Sequence, residues 1–154
     1  MCEGDNIPSL SYRYIKEHGV LRPKIPIIVS AGELRTEVAG LIDSGSDFVL
    51  FPKDIAEAVG ITLTKKVDEA DGVGGRIRCR SGLATITLQK GKTKKILTNM
   101  KIFVQTDEGG IDEILLGRIP FFEHFRIEFN ENAKRVKLTP NRRPLKVSFE
   151  QKSF

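Results

Sequence analysis

The sequence predicts an all-β fold, a small closed barrel or sandwich with one or two short helices. Three observations favour it: apolar residues alternate with polar residues along most of the chain, glycine and proline repeatedly interrupt these runs, and helical periodicity is clear in a single stretch. The chain has 154 residues, and 40% of them are hydrophobic. That length and composition fit one domain with a packed core.

The first predicted elements are strands. Apolar side chains alternate with polar ones over 10–14, which predicts a terminal strand within an N-terminal extension, residues 1–22. A hairpin follows, with strands at 27–29 and 34–42 and a turn at 30–32. This hairpin opens the predicted domain, which covers residues 23–139.

The clearest helix is predicted for "FPKDIAEAVGI". Pro52 suits a first helical turn, and Gly60 suits the end of a helix. Ile55, Ala56 and Val59 lie on one face at helical spacing, so this helix is expected to pack on the core through that face.

The second half of the chain returns to strands. Alternation and turn residues predict two extended runs around "DGVGG", a strand through Met100, Ile102 and Val104, a short strand "ILLG", a short helix "PFFEHF" and a hairpin "RIEFNENAKRVKL". Residues 140–154 form a basic C-terminal tail in which Leu145, Val147 and Phe149 alternate with polar residues, as in a strand.

The composition also indicates where in the cell the protein is located. No run approaches the roughly 18 apolar residues that a membrane span needs, and residues 1–30 lack the basic-then-apolar pattern of a secretory signal. The two cysteines, Cys2 and Cys79, form no disulfide framework. We therefore expect a soluble, cytoplasmic protein without membrane contact.

The net charge of +5 is unevenly distributed. Residues 90–101 and 134–146 carry lysines and arginines without any acid, and such patches could contact phosphate or an acidic partner. No aromatic residues are interleaved with these cations to stack on bases. Solvated basic faces are therefore favoured over a nucleic-acid interface.

Several kinds of chemical site find no support in the sequence. His18 and His124 lack a second ligand at metal-binding spacing, and no Gly-x-Ser-x-Gly motif is present. His124 fits a packed or surface position in a short helix. Cys79 lies in an alternating strand and is expected to be a small core residue. No metal ion or cofactor is predicted.

The remaining candidate is Asp43 in "GLIDSGSDFVLFP". Its carboxylate follows Leu41 and Ile42 directly, at the end of an apolar strand, and a turn-forming Ser-Gly pair comes next. Asp-Ser-Gly alone would indicate an ordinary turn. Two distant segments change the interpretation, a glycine-rich hairpin tip at 71–75 and the apolar-Gly-Arg element "LLGR" at 115–118.

A weak internal similarity accompanies these segments. "GLIDSG" at 40–45 and "EILLGR" at 113–118 are both short apolar strands that end at a glycine turn, and a proline-led helical segment follows each. The similarity suggests a repeated half-domain.

In order and spacing, the three segments resemble the retropepsin-like aspartic proteases, over roughly residues 23–139. The resemblance implies the retropepsin fold, which is half of a two-lobed pepsin, and an aspartic endopeptidase that cleaves extended peptides. Since carboxylate catalysis of peptide hydrolysis needs two acids and the chain has one such loop, it also implies a homodimer. The alternative is a retropepsin-fold module that binds peptide or nucleic acid without significant proteolysis.

The resemblance assigns a role to each matching position. It implies a catalytic group of Asp43, Ser44 and Gly45; a substrate-binding group of Asp47 and the flap residues Gly72, Val73, Gly74 and Arg76; and structural support from Gly117 and Arg118. An ion pair between Asp47 and Arg118 is expected. Arg76 and Ile119 depart from the family pattern: Arg76 favours acidic substrate residues or points to solvent. The C-terminal strand is expected at the dimer interface.

Overall fold

A computed structural model describes residues 8–72, 75–107 and 110–142. Strands dominate the described residues, and two short helices accompany them. The elements in chain order are β1 (Leu10–Arg13), β2 (Ile15–Glu17), β3 (Val20–Arg22), β4 (Lys24–Ala31), β5 (Leu34–Ile42), β6 (Leu50–Phe51), α1 (Lys53–Ala58), β7 (Asp68–Gly72), β8 (Gly75–Lys90), β9 (Thr93–Gln105), β10 (Ile114–Leu116), a 3₁₀ helix (Phe121–His124), β11 (Phe125–Asn130) and β12 (Arg135–Pro140).

Six strands close into a barrel. They pair in the order β4, β5, β10, β6, β9 and β8, and β8 pairs again with β4. Closure leaves these strands without a free edge, and alternate side chains fill the interior. The fully buried interior side chains include Ile25, Ile27, Val29, Phe51, Ile86, Leu88, Ile102 and Leu116. The predicted all-β barrel with short helices is confirmed.

The predicted hairpin is formed by β4 and β5, but its turn lies later than predicted. Ser30 and Ala31 still pair with Arg35 and Leu34, and the turn falls at residues 32–33. Gly32 has a φ of +64°, a left-handed conformation that glycine adopts without steric cost. The turn therefore lies where the backbone conformation needs glycine.

The predicted helix is confirmed as α1, with Pro52 at its N-cap rather than in its first turn. Ala56 and Val59 are buried against the barrel. Gly60 has a φ of +69°, so the chain leaves the helix there, as the sequence predicts. The helix follows directly after β6 and covers one side of the barrel.

The hairpin of β7 and β8 extends beyond the barrel. β8 is 16 residues long, and its C-terminal part belongs to the barrel, whereas its first residues pair with β7 in register from Asp68↔Cys79 to Gly72↔Gly75. The predicted glycine-rich tip is at the end of this hairpin. Val73 and Gly74 lie outside the described residues.

The N-terminal strand packs into the core. β1 pairs with β12, and β12 pairs with β11, in a separate three-stranded sheet. Leu10, Tyr12 and Tyr14 are all buried, and the N–H of Tyr14 donates to the carbonyl of Lys134 at 2.8 Å. Residues 10–14 thus share the hydrophobic core with the predicted domain. The strand predicted around Leu145, Val147 and Phe149 lies outside the described residues.

Leu10→Ala is expected to lower the free energy of unfolding by about 3 kcal/mol, the usual range for removing a fully buried leucine. The Leu10 side chain is 0% exposed in the core. Urea denaturation monitored by circular dichroism measures the change. Leu34→Ala is the matched control, because Leu34 is 56% exposed and its truncation should cost under about 0.5 kcal/mol. Equal losses in the two variants would contradict a structural role for β1.

Candidate active site

Two short apolar strands lie side by side beneath the candidate site. β5 and β10 are parallel, with Leu41 opposite Leu115 and Ile42 opposite Leu116. The N–H of Asp43 donates to the carbonyl of Leu116 at 3.2 Å. The two segments whose sequence similarity suggested a repeat are therefore neighbours, and both end at the same edge of the sheet.

The turn after β5 holds the Asp43 carboxylate. The N–H of Gly45 donates to Asp43 Oδ1 at 2.9 Å, and the N–H of Ser46 donates to the Asp43 carbonyl at 3.2 Å. A Cβ at Gly45 would lie 3.2 Å from Asp43 Oδ1, so a side chain there would crowd the carboxylate. The small residues after Asp43 therefore leave room for the carboxylate and bind it through the backbone.

The turn after β10 crosses the Asp43 turn and is bonded to it. The N–H of Arg118 donates to the Ser46 carbonyl at 2.9 Å, and the N–H of Ile119 donates to the Asp47 carbonyl at 2.8 Å. Gly117 passes so close to the backbone of Phe48 that a Cβ would lie 2.0 Å from its carbonyl oxygen. The two turns thus form one unit, and Gly117 makes the crossing sterically feasible.

The ion pair predicted between Asp47 and Arg118 is confirmed. Arg118 Nη2 contacts Asp47 Oδ1, and both side chains are more than half exposed. An exposed pair contributes little stability by itself. Here the ion pair joins the turn after β5 to the turn after β10, next to the backbone hydrogen bonds between them. It therefore orients side chains at the mouth of the site.

A groove of about 880 Å³ opens in front of Asp43. Its sides are the Asp43 turn, the β7–β8 hairpin and β9. Phe48 and Phe103 pack with ring centroids 5.0 Å apart, and Lys101 Nζ lies 5.3 Å from the centroid of Phe103. The other apolar side chains that line the groove are Leu50, Ala70, Ile77, Cys79, Ile111 and Leu115. Charged and polar side chains also line the groove, namely Asp43, Asp47, Asp68, Glu69, Asp71, Lys101 and Gln105. A groove with both apolar and charged walls suits an extended ligand that is partly apolar and partly polar.

The predicted site residues are not all at the groove. Asp43, Gly45 and Asp47 line it, and Gly117 and Arg118 support it from the second turn. Ser44 is exposed beside Asp43. Gly72 ends β7, whereas Val73 and Gly74 lie outside the described residues.

Arg76 lies on the β7–β8 hairpin without lining the groove. Its guanidinium is 3.5 Å from Glu69 and 3.6 Å from Asp71. These contacts are within the hairpin itself, and the side chain is largely exposed. Of the two predicted alternatives, the solvent-facing position fits this geometry.

Cys79 lines the groove as a buried side chain. Burial raises the pKa of the Cys79 thiol, and the charges of Asp107 and Asp68 raise it further. A thiol with a raised pKa stays protonated and is a poor nucleophile. The predicted burial of Cys79 is confirmed, but its side chain lines the groove and does not belong to the main core cluster.

His124 lies in the 3₁₀ helix and is partly buried. Burial lowers the pKa of its imidazole, and the charge of Lys95 lowers it further. Of the two predicted alternatives, a packed or a surface position, these surroundings fit the packed position.

The sequence did not identify the aromatic and aliphatic residues that line the groove. Phe48, Leu50 and Phe103 lie in apolar stretches that resemble core strands, and alternation does not show which apolar face meets the core and which meets a groove. For Phe48 and Leu50, the position just after "LIDSG" is a signal that could have singled them out, and Phe103 has no such signal. Within residues 8–72, 75–107 and 110–142, no cluster of three His, Cys, Asp or Glu residues is arranged to hold a metal ion. No helix in that part of the chain is long and apolar enough to cross a membrane.

Comparison with known proteins gives a match at the level of structure. No protein-family model matches the chain, and no curated protein matches it significantly. A retropepsin-like aspartic protease from Rickettsia conorii aligns over 86% of this chain and 99% of its own, at 15% identity and a TM-score of 0.59. An EIAV protease complexed with an inhibitor aligns over 68% and 89%, at 20% identity and a TM-score of 0.48. On the strength of the Rickettsia structure, the chain has the fold of the retropepsin-like aspartic proteases.

Proposed function

We propose that the protein is an aspartic endopeptidase that cleaves extended peptides as a homodimer. The observation that carries the proposal is the Asp43 carboxylate, which lies at the end of a core strand, is bound by the N–H of Gly45, and lines a groove of about 880 Å³. The chain has the retropepsin-like fold, and a protein with this fold is an aspartic protease. Fold alone would not decide function, so the site carries the argument.

Peptide hydrolysis by carboxylates needs a pair of acids that share one proton. One takes a proton from water while the other polarises the scissile carbonyl. Asp47 is engaged by Arg118, and the other acids of the groove, Asp68, Glu69 and Asp71, lie on the flap hairpin. The chain has one Asp-Ser-Gly loop, so in this proposal the second acid is Asp43 of a second copy, which a two-fold axis would bring face to face with the first.

The dimer axis would pass beside the Asp43 turn. Ser44 is exposed there, so its hydroxyl is free to bond to the facing turn. The C-terminal strand at 145–149 is part of the proposed interface, and it lies outside the described residues. In such a dimer the two grooves join into one long cleft across the two Asp43 carboxylates.

The β7–β8 hairpin acts as the flap. An extended peptide in the cleft would pair through its backbone with Gly72, Val73 and Gly74, which is strand addition. Glycines at the tip allow the flap to open and close. Asp47, held by Arg118, would bind the peptide backbone at the edge of the cleft.

Cleavage of an unbiased peptide library at acid and neutral pH tests this function. We expect cleavage at a restricted set of bonds, and we expect a peptide mimic with a hydroxyl at the scissile position to block it, since such mimics resemble the tetrahedral transition state. Peptides that are bound but left intact would support the binding-module alternative. Binding of nucleic acid that weakens steeply with salt would favour the basic patches instead.

A further inference from the structure

Lys101 is the one lysine or arginine among the described residues that line the groove in front of Asp43. On β9 the side chains of Lys101, Phe103 and Gln105 face the groove, whereas Ile102 and Val104, which alternate with them, are buried in the core. This alternation is that of a strand with one face on the core. The Lys101 side chain is exposed, so its ammonium is accessible to a ligand in the groove.

An aromatic and aliphatic surface lies next to Lys101. Phe48 packs on Phe103 with ring centroids 5.0 Å apart, and Leu50 of β6 is paired with Phe103 of β9. We call Phe48, Leu50 and Phe103, all of which line the groove, the apolar patch. Lys101 Nζ lies 5.3 Å from the centroid of the Phe103 ring, within the range of cation–π attraction. The ammonium is therefore held at the edge of the apolar patch.

Lys101 differs from the acids of the groove in its charge partners. Every acid that lines the groove, except Asp43, has a cation within 3.6 Å. The pairs are Asp47 with Arg118, Asp68 with Lys66, and both Glu69 and Asp71 with Arg76. Within residues 8–72, 75–107 and 110–142, Lys101 makes no ion pair. Its charge is thus available to an anionic group of a ligand.

The acids of the β7–β8 hairpin lie towards the other end of the groove. Asp68 is opposite Cys79 in the hairpin, and Cys79 is opposite Gln105 of β9. Gln105 is four residues along β9 from Lys101, which is about 13 Å in an extended strand. The rest of β7 extends farther in the same direction. An anionic side chain bound at Lys101 would therefore be well separated from these acids.

We propose that Lys101 is a specificity-determining residue that binds an acidic side chain of the peptide, close to a residue that packs on the apolar patch. The proposal rests on the peptidase function proposed above and names the class of peptide that is cleaved. Side chains two positions apart on an extended peptide lie on the same side, about 7 Å from each other. A glutamate two positions from the apolar residue can therefore reach an ammonium that lies 5.3 Å from the Phe103 ring.

Lys101 takes the role that the sequence offered as one alternative for Arg76. The guanidinium of Arg76 is engaged by two acids of its own hairpin, and its side chain does not line the groove. Lys101 instead lies on a strand that is paired on both sides, with β6 and with β8. A side chain that a paired strand presents is more precisely placed than one on a loop.

Three peptides that differ at one position test the proposal. A peptide selected from the library keeps its apolar residues, and glutamate, glutamine or lysine is placed in turn at positions two residues from an apolar one. At one such position we expect kcat/KM to be about threefold higher with glutamate than with glutamine, the size typical of an exposed ion pair, and lowest with lysine. The preference should weaken as the salt concentration rises.

Variants on β9 identify the residue responsible. Lys101→Met keeps an aliphatic stem and removes the charge, so the glutamate and glutamine peptides should be cleaved equally well. Lys101→Glu reverses the charge, so the preference should pass to the lysine peptide. Lys94→Met is the matched control, because Lys94 is an exposed lysine of the same strand that does not line the groove. It should keep the preference of the wild type.

Two outcomes would overturn the inference while the peptidase proposal stands. One is equal cleavage of the three peptides by the wild-type protein, and the other is an unchanged glutamate preference in Lys101→Met. If the wild-type protein cleaves no peptide, the peptidase proposal fails, and the parent peptide is selected by binding to the immobilised protein. Calorimetric titration of its three forms then decides the inference. Tighter binding of the glutamate form, lost in Lys101→Met, would support it, and equal or absent binding would overturn it.

Discussion

Asp43→Asn is expected to abolish peptide cleavage while leaving the fold and the dimer intact. Asparagine has nearly the same shape, and its amide oxygen can still accept the Gly45 N–H that now binds Asp43 Oδ1. It cannot take a proton from water or share one with a facing carboxylate. Because both copies of the proposed dimer would carry the substitution, the proposed dyad would be lost entirely, and the rate should fall at least about 10³-fold.

Initial rates on a peptide selected from the library measure this effect, and sedimentation velocity reports the dimer. Asp54→Asn is the matched control: Asp54 bonds to the N–H of Ile55 in α1 and does not line the groove at Asp43. Its activity should equal that of the wild type. Undiminished cleavage by Asp43→Asn would remove Asp43 from the mechanism.

Mixed dimers extend the same test to the two-copy site. If one site needs Asp43 from both chains, a dimer of one wild-type and one Asp43→Asn chain is inactive. An equimolar mixture with full exchange should then have about a quarter of the activity of wild-type protein at the same total chain concentration. A quarter is the share of random pairs in which both copies are intact. A linear dependence on the wild-type fraction would instead indicate that each chain works alone.

The local sequence predicted those parts of the site that depend on short segments. The turn after Ile42 follows from an apolar strand that meets Asp-Ser-Gly, and α1 follows from the spacing between Pro52 and Gly60. The contact between Asp47 and Arg118 was predicted from the resemblance to a known family, in which the same distant segments follow in the same order. The alternation of apolar and polar residues alone does not predict a contact between residues that are 71 positions apart in the sequence.

The ion pairs of Lys24 with Glu17 and Glu113 show what such reasoning misses. Lys24 begins an otherwise apolar strand, and nothing in "RPKIPIIV" distinguishes a buried lysine from an exposed one. Its burial depends on Glu17 and Glu113, and Glu113 immediately precedes β10, a strand that enters the barrel much later in the chain. The long β8 was likewise predicted as extended structure, but its division between the barrel and the β7–β8 hairpin depends on its pairing with β4, β7 and β9, which lie elsewhere in the chain.

Gly117→Ala is expected to be among the most destabilising single-methyl changes in the chain. The φ of Gly117 is not left-handed, so backbone conformation is not the cause. The new Cβ would lie 2.0 Å from the carbonyl oxygen of Phe48 and 2.7 Å from that of Ser46. Both contacts are with backbone, which cannot rotate away as a side chain can. The crossing turns must separate, and we expect a loss of about 3 kcal/mol or more in the free energy of unfolding.

Two glycines provide a graded control. A Cβ at Gly40 would meet the Leu116 side chain at 2.9 Å, and a side chain can shift, so Gly40→Ala should cost less. A Cβ at Gly110 would have its nearest neighbour at 3.6 Å, an ordinary contact, so Gly110→Ala should change stability by under about 0.5 kcal/mol. Urea denaturation of the three variants gives the ranking. Gly117→Ala should also lose activity under conditions where it remains folded, because the same crossing holds Asp47 and Arg118 beside Asp43. If Gly117→Ala were as stable and active as Gly110→Ala, the tight crossing of the two turns would not be what holds the site together.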